Sequence, residues 1–221
     1  MIKARHIVLV TLVAFIIAAR VNVSVGEWYA AHLYPIISTG LSFLVSWIPF
    51  SMTELLVVFA IVLMALVLIT GIRKKQAFWK IILKEAELII WVFIWLYLGW
   101  GINYFRESIY TRGDIERHAY DEVIFKKFIT EYADSLNASY TPEIAEMAEY
   151  ENNIKSIYSS VPENYGLCSP KGWQHPKRLI FNRLYTSVGV GGYIGPFFCE
   201  THINADLLPA QQPFSYAHEL S

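Results

Sequence analysis

At 221 residues, 55% hydrophobic, 17% charged and with a mean hydropathy of +0.37, the chain is too apolar for one ordinary soluble domain. The formal net charge of −1 conceals an asymmetry: residues 1–102 carry a balance of +4 and residues 103–221 a balance of −5. No basic face interleaved with aromatics is present, which excludes nucleic acid as a partner.

The apolar residues gather in the first hundred. Ile7–Ala19 is uncharged, and Arg20 interrupts it before Val21–Val25. Leu55–Ile72 has no charge and is long enough for roughly 27 Å of helix. Leu88–Ile102 is shorter, but its Trp and Tyr side chains suit the ends of a membrane span. The expectation is three transmembrane helices, at about 7–25, 55–72 and 88–102. Trp28–Phe50 is also uncharged, yet Pro35, Gly40 and Pro49 interrupt it and Ser38, Thr39, Ser42 and Ser46 punctuate it. It reads as a re-entrant or interface-lying segment, with a fourth span as the alternative. A signal peptide is the alternative for the first run, which lacks a clear small-x-small cleavage site.

Cations set the expected orientation. Lys3 and Arg5 precede the first run, and Arg73, Lys74, Lys75, Lys80 and Lys84 fall between the second and third. Positive loops stay in the cytoplasm, so the N-terminus is expected inside and residues 103–221 outside. The domain division is therefore a multi-pass anchor in the cell membrane over 1–102 and an extracytoplasmic domain over 103–221.

In that second half, Tyr120–Leu136 places Ile124, Phe125, Phe128, Ile129, Tyr132 and Leu136 on one helical stripe, expected to be buried. Thr141-Pro142-Glu143 is a helix start, with the helix reaching about Ser159 and burying Ile144, Met147, Ala148, Ile154 and Tyr158. Val161–Gly166 is its stop. Leu179–Tyr185 alternates weakly and Thr186–Gly192 is small and extended, with glycines that suit turns better than a phosphate cradle. Tyr193–Asn204 reads as a strand broken at Gly195-Pro196, so a hairpin or short irregular sheet is expected. Phe214–Ser221 then opens a helix with Phe214, Ala217 and Leu220 inward and Pro213 at or before its first turn.

The last four residues, His218-Glu219-Leu220-Ser221, match the first four positions of H-E-x-x-H. In that motif two histidines four apart on a helix face bind one zinc, and the glutamate serves as general base. A bare His-Glu pair is weak, since about 0.4 such pairs arise by chance at this composition. Its setting after strand-like sequence and at the opening of a helix adds weight. A second arrangement would use His202, Glu200 and His218, with Glu200 and His202 on one strand face. A core or surface pair is the default reading there. His175 is a further imidazole, while His6, His32 and His118 look incidental. Cys168 and Cys199 could form a disulfide in an oxidising compartment or remain two separate thiols.

Three segments together carry a resemblance: Leu98–Arg106, Gly195–Asn204 and Pro213–Ser221. The set resembles an uncharacterised bacterial family of three-span membrane proteins with a zincin-type, gluzincin-like outer domain, over essentially the whole chain. The resemblance implies zinc as cofactor, His218 as first metal ligand, Glu219 as catalytic base and a peptide or protein substrate. The second histidine and a later glutamate ligand would fall beyond Ser221, so the chain departs from the pattern by omission. The expected fold is an α-helical membrane anchor plus a small α+β zincin-like domain that is incomplete at its C-terminus. The expected function is a membrane-anchored zinc metallopeptidase-like protein, inactive as this fragment. The competing expectation is a non-catalytic envelope protein whose outer domain binds a partner or the cell wall.

Overall fold

The computed structural model describes residues 4–140, 146–160 and 170–220. Helix α1 runs Ala4–Val21 and stops because Asn22 turns extended and caps the next helix, its Oδ1 accepting from Ser24 N–H at 3.0 Å. Val23 and Val25, expected to continue the first run, therefore belong to α2 (Val23–Trp28). A π-helical turn at Tyr29–Leu33 leads into α3 (Tyr34–Val45), which carries Pro35 in its first turn.

Helix α4 (Met52–Arg73) starts at Ser51, whose Oγ accepts from Glu54 N–H at 3.1 Å. The connection to α5 (Phe78–Gly99) is only Lys74–Ala77. Lys80 and Lys84, read from sequence as loop cations, instead ride on the first turns of α5. The segment expected as Leu88–Ile102 is the second half of that helix, which ends at Gly99 and gives way to a 3-10 turn at Gly101–Phe105. Among the described residues two helices, α1 and α4, are long and apolar enough to cross a membrane. Helix α5 matches α4 in length, but its first half carries Lys80, Lys84, Glu85 and Glu87.

Ala19, Tyr29 and Ile102 form a buried cluster with Phe15, Val25, Tyr97, Leu98 and Phe105 packed around it. The Tyr29 hydroxyl donates to Leu98 O and closes the junction between the π turn and α5. Near the other end of the helices Arg5 pairs with Glu87 at 2.9 Å.

Beyond α6 (Ile109–Arg112) and α7 (Glu122–Ala138), the rest of the chain builds a small sheet between helices. Helix α8 covers Met147–Ser160; β1 (Lys177–Arg178), α9 (Asn182–Ser187), β2 (Gly192–Gly195), β3 (Glu200–Ile203) and α10 (Gln211–Leu220) follow. The strand order is β1-β3-β2, with β1 parallel and β2 antiparallel to β3. Tyr193 faces His202 and Gly195 faces Glu200 in that register. The chain just before α4 joins the same sheet: Phe50 bridges Arg178 in parallel, Ser51 N–H donates to Arg178 O at 3.1 Å and Arg178 N–H to Pro49 O.

The broken hairpin over 193–204 is present as β2, a turn and β3. Three other expectations need correction. The weak alternation of Leu179–Tyr185 and the extended reading of Thr186–Gly192 give way to a short helix at Asn182–Ser187, followed by Gly189 at φ +75°, a conformation that disfavours a side chain. On α10, Phe214 faces water at 75% exposure while Tyr216 is fully buried. The apolar stripe of α7 is exposed throughout, with Ile124 at 68% and Phe128 at 56%, although Asp121 caps the helix as its sequence suggests. Periodicity shows which face is apolar; it carries no information on whether another element covers that face. On α8, Met147, Ile154 and Tyr158 are half-buried, Ala148 is exposed, and the fully buried residue is Glu151. The helix start at Thr141–Glu143, Ile144 and the stop at Val161–Gly166 lie outside the described residues.

Candidate functional site

Helix α10 packs on β2, β3 and α8. Two phenols hold it: the Tyr216 hydroxyl donates to Gln174 O at 3.3 Å, and the Tyr158 hydroxyl donates to Ala217 O at 2.7 Å. Burial pushes the Tyr216 phenol up, so it stays a neutral donor. His218 is exposed and stacks on Phe214 one turn earlier, ring centroids 6.4 Å apart. Glu219 turns the other way, onto edge strand β2, where its carboxylate takes a hydrogen bond from the Ile194 backbone. The approach is close enough to require glycine at 192. A Cβ there would lie 3.2 Å from Glu219 Cγ and collide with His202 O at 2.6 Å. Partial burial pushes the Glu219 carboxyl above its ordinary value of 4.5; His218, the Ile194 amide and His202 pull it part of the way back.

His218 and Glu219 line a cleft of about 400 Å³ shared between the two halves of the chain. Helix α3 contributes Tyr34, Pro35, Ser38 and Thr39, and the sheet domain contributes Ile194 and Thr201. Trp100, Asn103 and Arg106 at the end of α5 also line it, with Lys171 and Gln174. Arg106 is tied to Glu27 at 3.2 Å, so that cation is already paired.

Behind β2 lies a buried polar network that sequence reasoning missed. Glu200 accepts from Lys177 Nζ at 2.6 Å through one oxygen and from Thr53 N–H and Oγ1–H through the other, at 3.1 and 3.2 Å. Burial alone would push its carboxyl up, but His202 and Lys177 together outweigh that and hold it below 4.5. Lys177 Nζ also donates to Val45 O at 2.5 Å, tying the end of α3 to the sheet. Glu54 accepts from the Ile180 and Phe181 amides at 2.6 and 3.1 Å. The Ser51 hydroxyl meets Tyr193 Oη at 3.2 Å. The available signal was Ser51-x-x-Glu54, a capping-box pattern. Ser51 does cap, whereas Glu54 reaches across to the sheet.

This network settles what Glu200 and His202 do. They share a buried face of β3, but both Glu200 oxygens are occupied by Lys177 and Thr53. His202 stacks on Tyr193 at 4.4 Å, with Nδ1 3.2 Å from Tyr193 O and Nε2 3.3 Å from Glu200 but poorly aligned for a hydrogen bond. His175 pairs with Glu151 at 2.6 Å, alongside Lys155. Among the described residues no group of three His, Cys, Asp or Glu side chains is placed to hold a metal ion. Cys199 is a free thiol at φ +53°, donating to Gly99 O at 3.4 Å, and burial pushes it to about 11. Cys168 lies outside the described residues, and with it the expected pairing.

The architecture is that of a group of apolar helices whose ends are woven into a small mixed sheet, with a carboxylate–imidazole pair on the last helix. The chain belongs to a family of proteins of unknown function (DUF3810), whose model matches residues 29–221. No curated protein and no solved structure matches it.

Proposed function

We propose that this chain carries the membrane anchor and the catalytic carboxylate of a zincin-like hydrolase that acts on peptides at the outer surface of a cell membrane. The observation that carries the reading is Glu219: a partly desolvated carboxylate facing a cleft, beside His218 and braced by edge strand β2. A carboxyl that partial burial raises above its ordinary value is suited to taking a proton from an attacking water and returning it to a leaving amine. Edge strand β2 offers backbone groups with which an extended peptide could pair.

The described residues do not make a zinc site. A catalytic zinc takes three protein ligands, and here His218 would be one of them. The peptidase reading therefore requires further ligands from outside the described residues, and no step is routed through the metal.

Membrane placement rests on α4, which is apolar on every side yet almost wholly unburied, as a helix in lipid would be. We take α1, α4 and α5 as three spans, with the N-terminus and Arg73–Lys84 in the cytoplasm. In support, the start of α4 and the end of α5 meet the sheet domain, while the basic Lys74–Ala77 connection lies at their opposite ends. A second reading, an envelope protein that binds a partner, is favoured by the exposed apolar face of α7.

The test uses the protein expressed from its full reading frame and purified in detergent. Bound zinc is measured by elemental analysis and hydrolysis by a mixed-sequence peptide library. Metal-dependent cleavage that disappears in Glu219→Gln while zinc content stays unchanged supports the hydrolase. Zinc-free protein without turnover sinks it and leaves the binding role.

A further inference from the structure

Helix α3 presents three different faces. Tyr34, Pro35, Ser38 and Thr39 line the cleft that holds Glu219. Ile37 and Leu41 pack toward Leu12 of α1 and Trp91, Ile94 and Leu98 of α5. Ile36, Phe43 and Leu44, followed by Trp47, are apolar and exposed, Trp47 at 80%. The spacing follows the 3.6-residue helical period, so one side is mildly polar and two are greasy. At 12 residues the helix rises about 18 Å, short of a crossing. Both of its ends meet the outer domain: Tyr34 shares the cleft, and Val45 O accepts from Lys177. The helix thus carries a cleft-lining face and an exposed apolar face, and forms part of the cleft wall.

From this arrangement we infer that the cleft takes an extended polypeptide segment immediately flanking a membrane anchor, in another membrane-tethered protein, rather than a free soluble peptide. A chain leaving the bilayer beside α3 would lie next to the face carrying Ser38 and Thr39, which line the same cleft as Ile194 and Glu219. A soluble protein would have to bring its scissile loop against α3, whose other face is apolar and exposed. The lining supports a polypeptide over a lipid: it is mixed rather than apolar, offering Ser38, Thr39, Asn103, Gln174 and Thr201 for backbone groups. Of the lysine and arginine side chains in the lining, Arg106 is committed to Glu27, and the Glu219 carboxylate that shares the cleft with Lys171 disfavours a phosphate headgroup. The inference rests on the proposed hydrolase for its substrate class, but its test does not need turnover.

The experiment places a photoreactive phenylalanine at Thr39 in the full-length protein, reconstituted in liposomes with defined probes. Each probe is a single transmembrane helix, a randomised peptide stretch and a soluble reporter. In one probe the stretch adjoins the helix; in the other a Gly/Ser spacer of about 25 residues, roughly 28 Å in r.m.s. reach, separates them. Both probes have the same surface density, so simple tethering is held constant. The expected result is capture of the adjoining probe about tenfold over the spaced one, with crosslinks in its first residues after the helix. Equal capture, or capture of neither, overturns the inference. Cleavage of both probes at equal rates, lost in Glu219→Gln, overturns it while leaving the hydrolase intact. Adjacent-selective capture with no cleavage by the protein without the crosslinker supports the membrane-proximal cleft and removes the hydrolase.

Discussion

The junction of α4 with the sheet and the helix α7 are made from equally legible sequence, and they have opposite fates. At the junction, residues far apart in the chain are locked together: Thr53 to Glu200, Glu54 to Ile180 and Phe181, Lys177 to Val45. Every one of these links crosses from the N-terminal helices to the sheet that follows them. Helix α7 has a proper cap, i,i+4 ion pairs of Glu122 with Lys126 and Lys127 with Glu131, and a clean apolar stripe, yet it buries no residue. Local signals make a helix; non-local polar contacts make this tertiary structure.

The strongest way to break the junction is Lys177→Met. It leaves Glu200, whose side chain is 1% exposed, as an unpaired buried charge and removes the donor to Val45 O. Breaking such a pair costs about 3–5 kcal/mol, so a large drop in Tm is expected in detergent, read by tryptophan fluorescence. The double change Lys177→Met with Glu200→Met should recover most of it, because desolvation of both ions is then avoided. The pH dependence has a definite sign. The carboxyl of Glu200 is lower in the folded state than its ordinary 4.5, so its contribution is full above that value. It is lost as pH falls through the lowered folded value. Glu200→Gln should flatten this acid limb; an unchanged limb would mean the pair is not formed.

Glu54→Ala comes next. It strips the acceptor from the Ile180 and Phe181 amides at the turn into α9. Two charge-assisted hydrogen bonds lost with their donors left partly buried should cost roughly 2–3 kcal/mol. Faster hydrogen exchange at exactly those amides, with α1 unaffected, would show that the loss is confined to the junction.

Gly99→Ala tests the second attachment point. A Cβ at Gly99 would sit 2.5 Å from Pro196 O, in the turn between β2 and β3. Neighbouring contacts hold that turn down, with Trp95 Nε1–H donating to Phe197 O at 2.8 Å and Cys199 to Gly99 O. The backbone must shift, at about 1–3 kcal/mol, and the same Tm assay reads it. Little or no change would show that the α5 end is loosely attached.

How much of this was legible follows the same division. Apolar runs announced α1 and α4, and the Gly195-Pro196 break announced the β2–β3 hairpin, because these depend on local composition. The β1–β3 pairing was not legible. Lys177-Arg178 has no strand pattern, and its partner lies 25 residues away in a register that only the sheet defines. Glu200 and His202 looked like possible metal ligands because alternation put them on one face. The chain segment around Thr53, which occupies the Glu200 carboxylate, gives no hint of that contact in sequence. Glu219 was singled out from the motif alone. Its bracing by Ile194 and the need for Gly192 required the fold.

The smallest expected effect is on α7. Phe128→Ser and Ile124→Ser remove apolar surface that is mostly in water, at 56% and 68% exposure, so no buried cavity forms and little transfer free energy is lost. Each should move the stability of this chain by no more than about 0.5 kcal/mol, apart from small changes in helix propensity. Near-zero shifts would sharpen the contrast with Lys177→Met, since residues drawn from an equally strong sequence pattern would then carry almost none of the fold. A loss of about 2 kcal/mol or more would instead place another surface against that stripe, at the scale expected for truncating a buried aromatic. Repeating the measurement in the presence and absence of lipid separates two sources of such cover, because burial against a bilayer would vanish in detergent whereas packing against protein would persist.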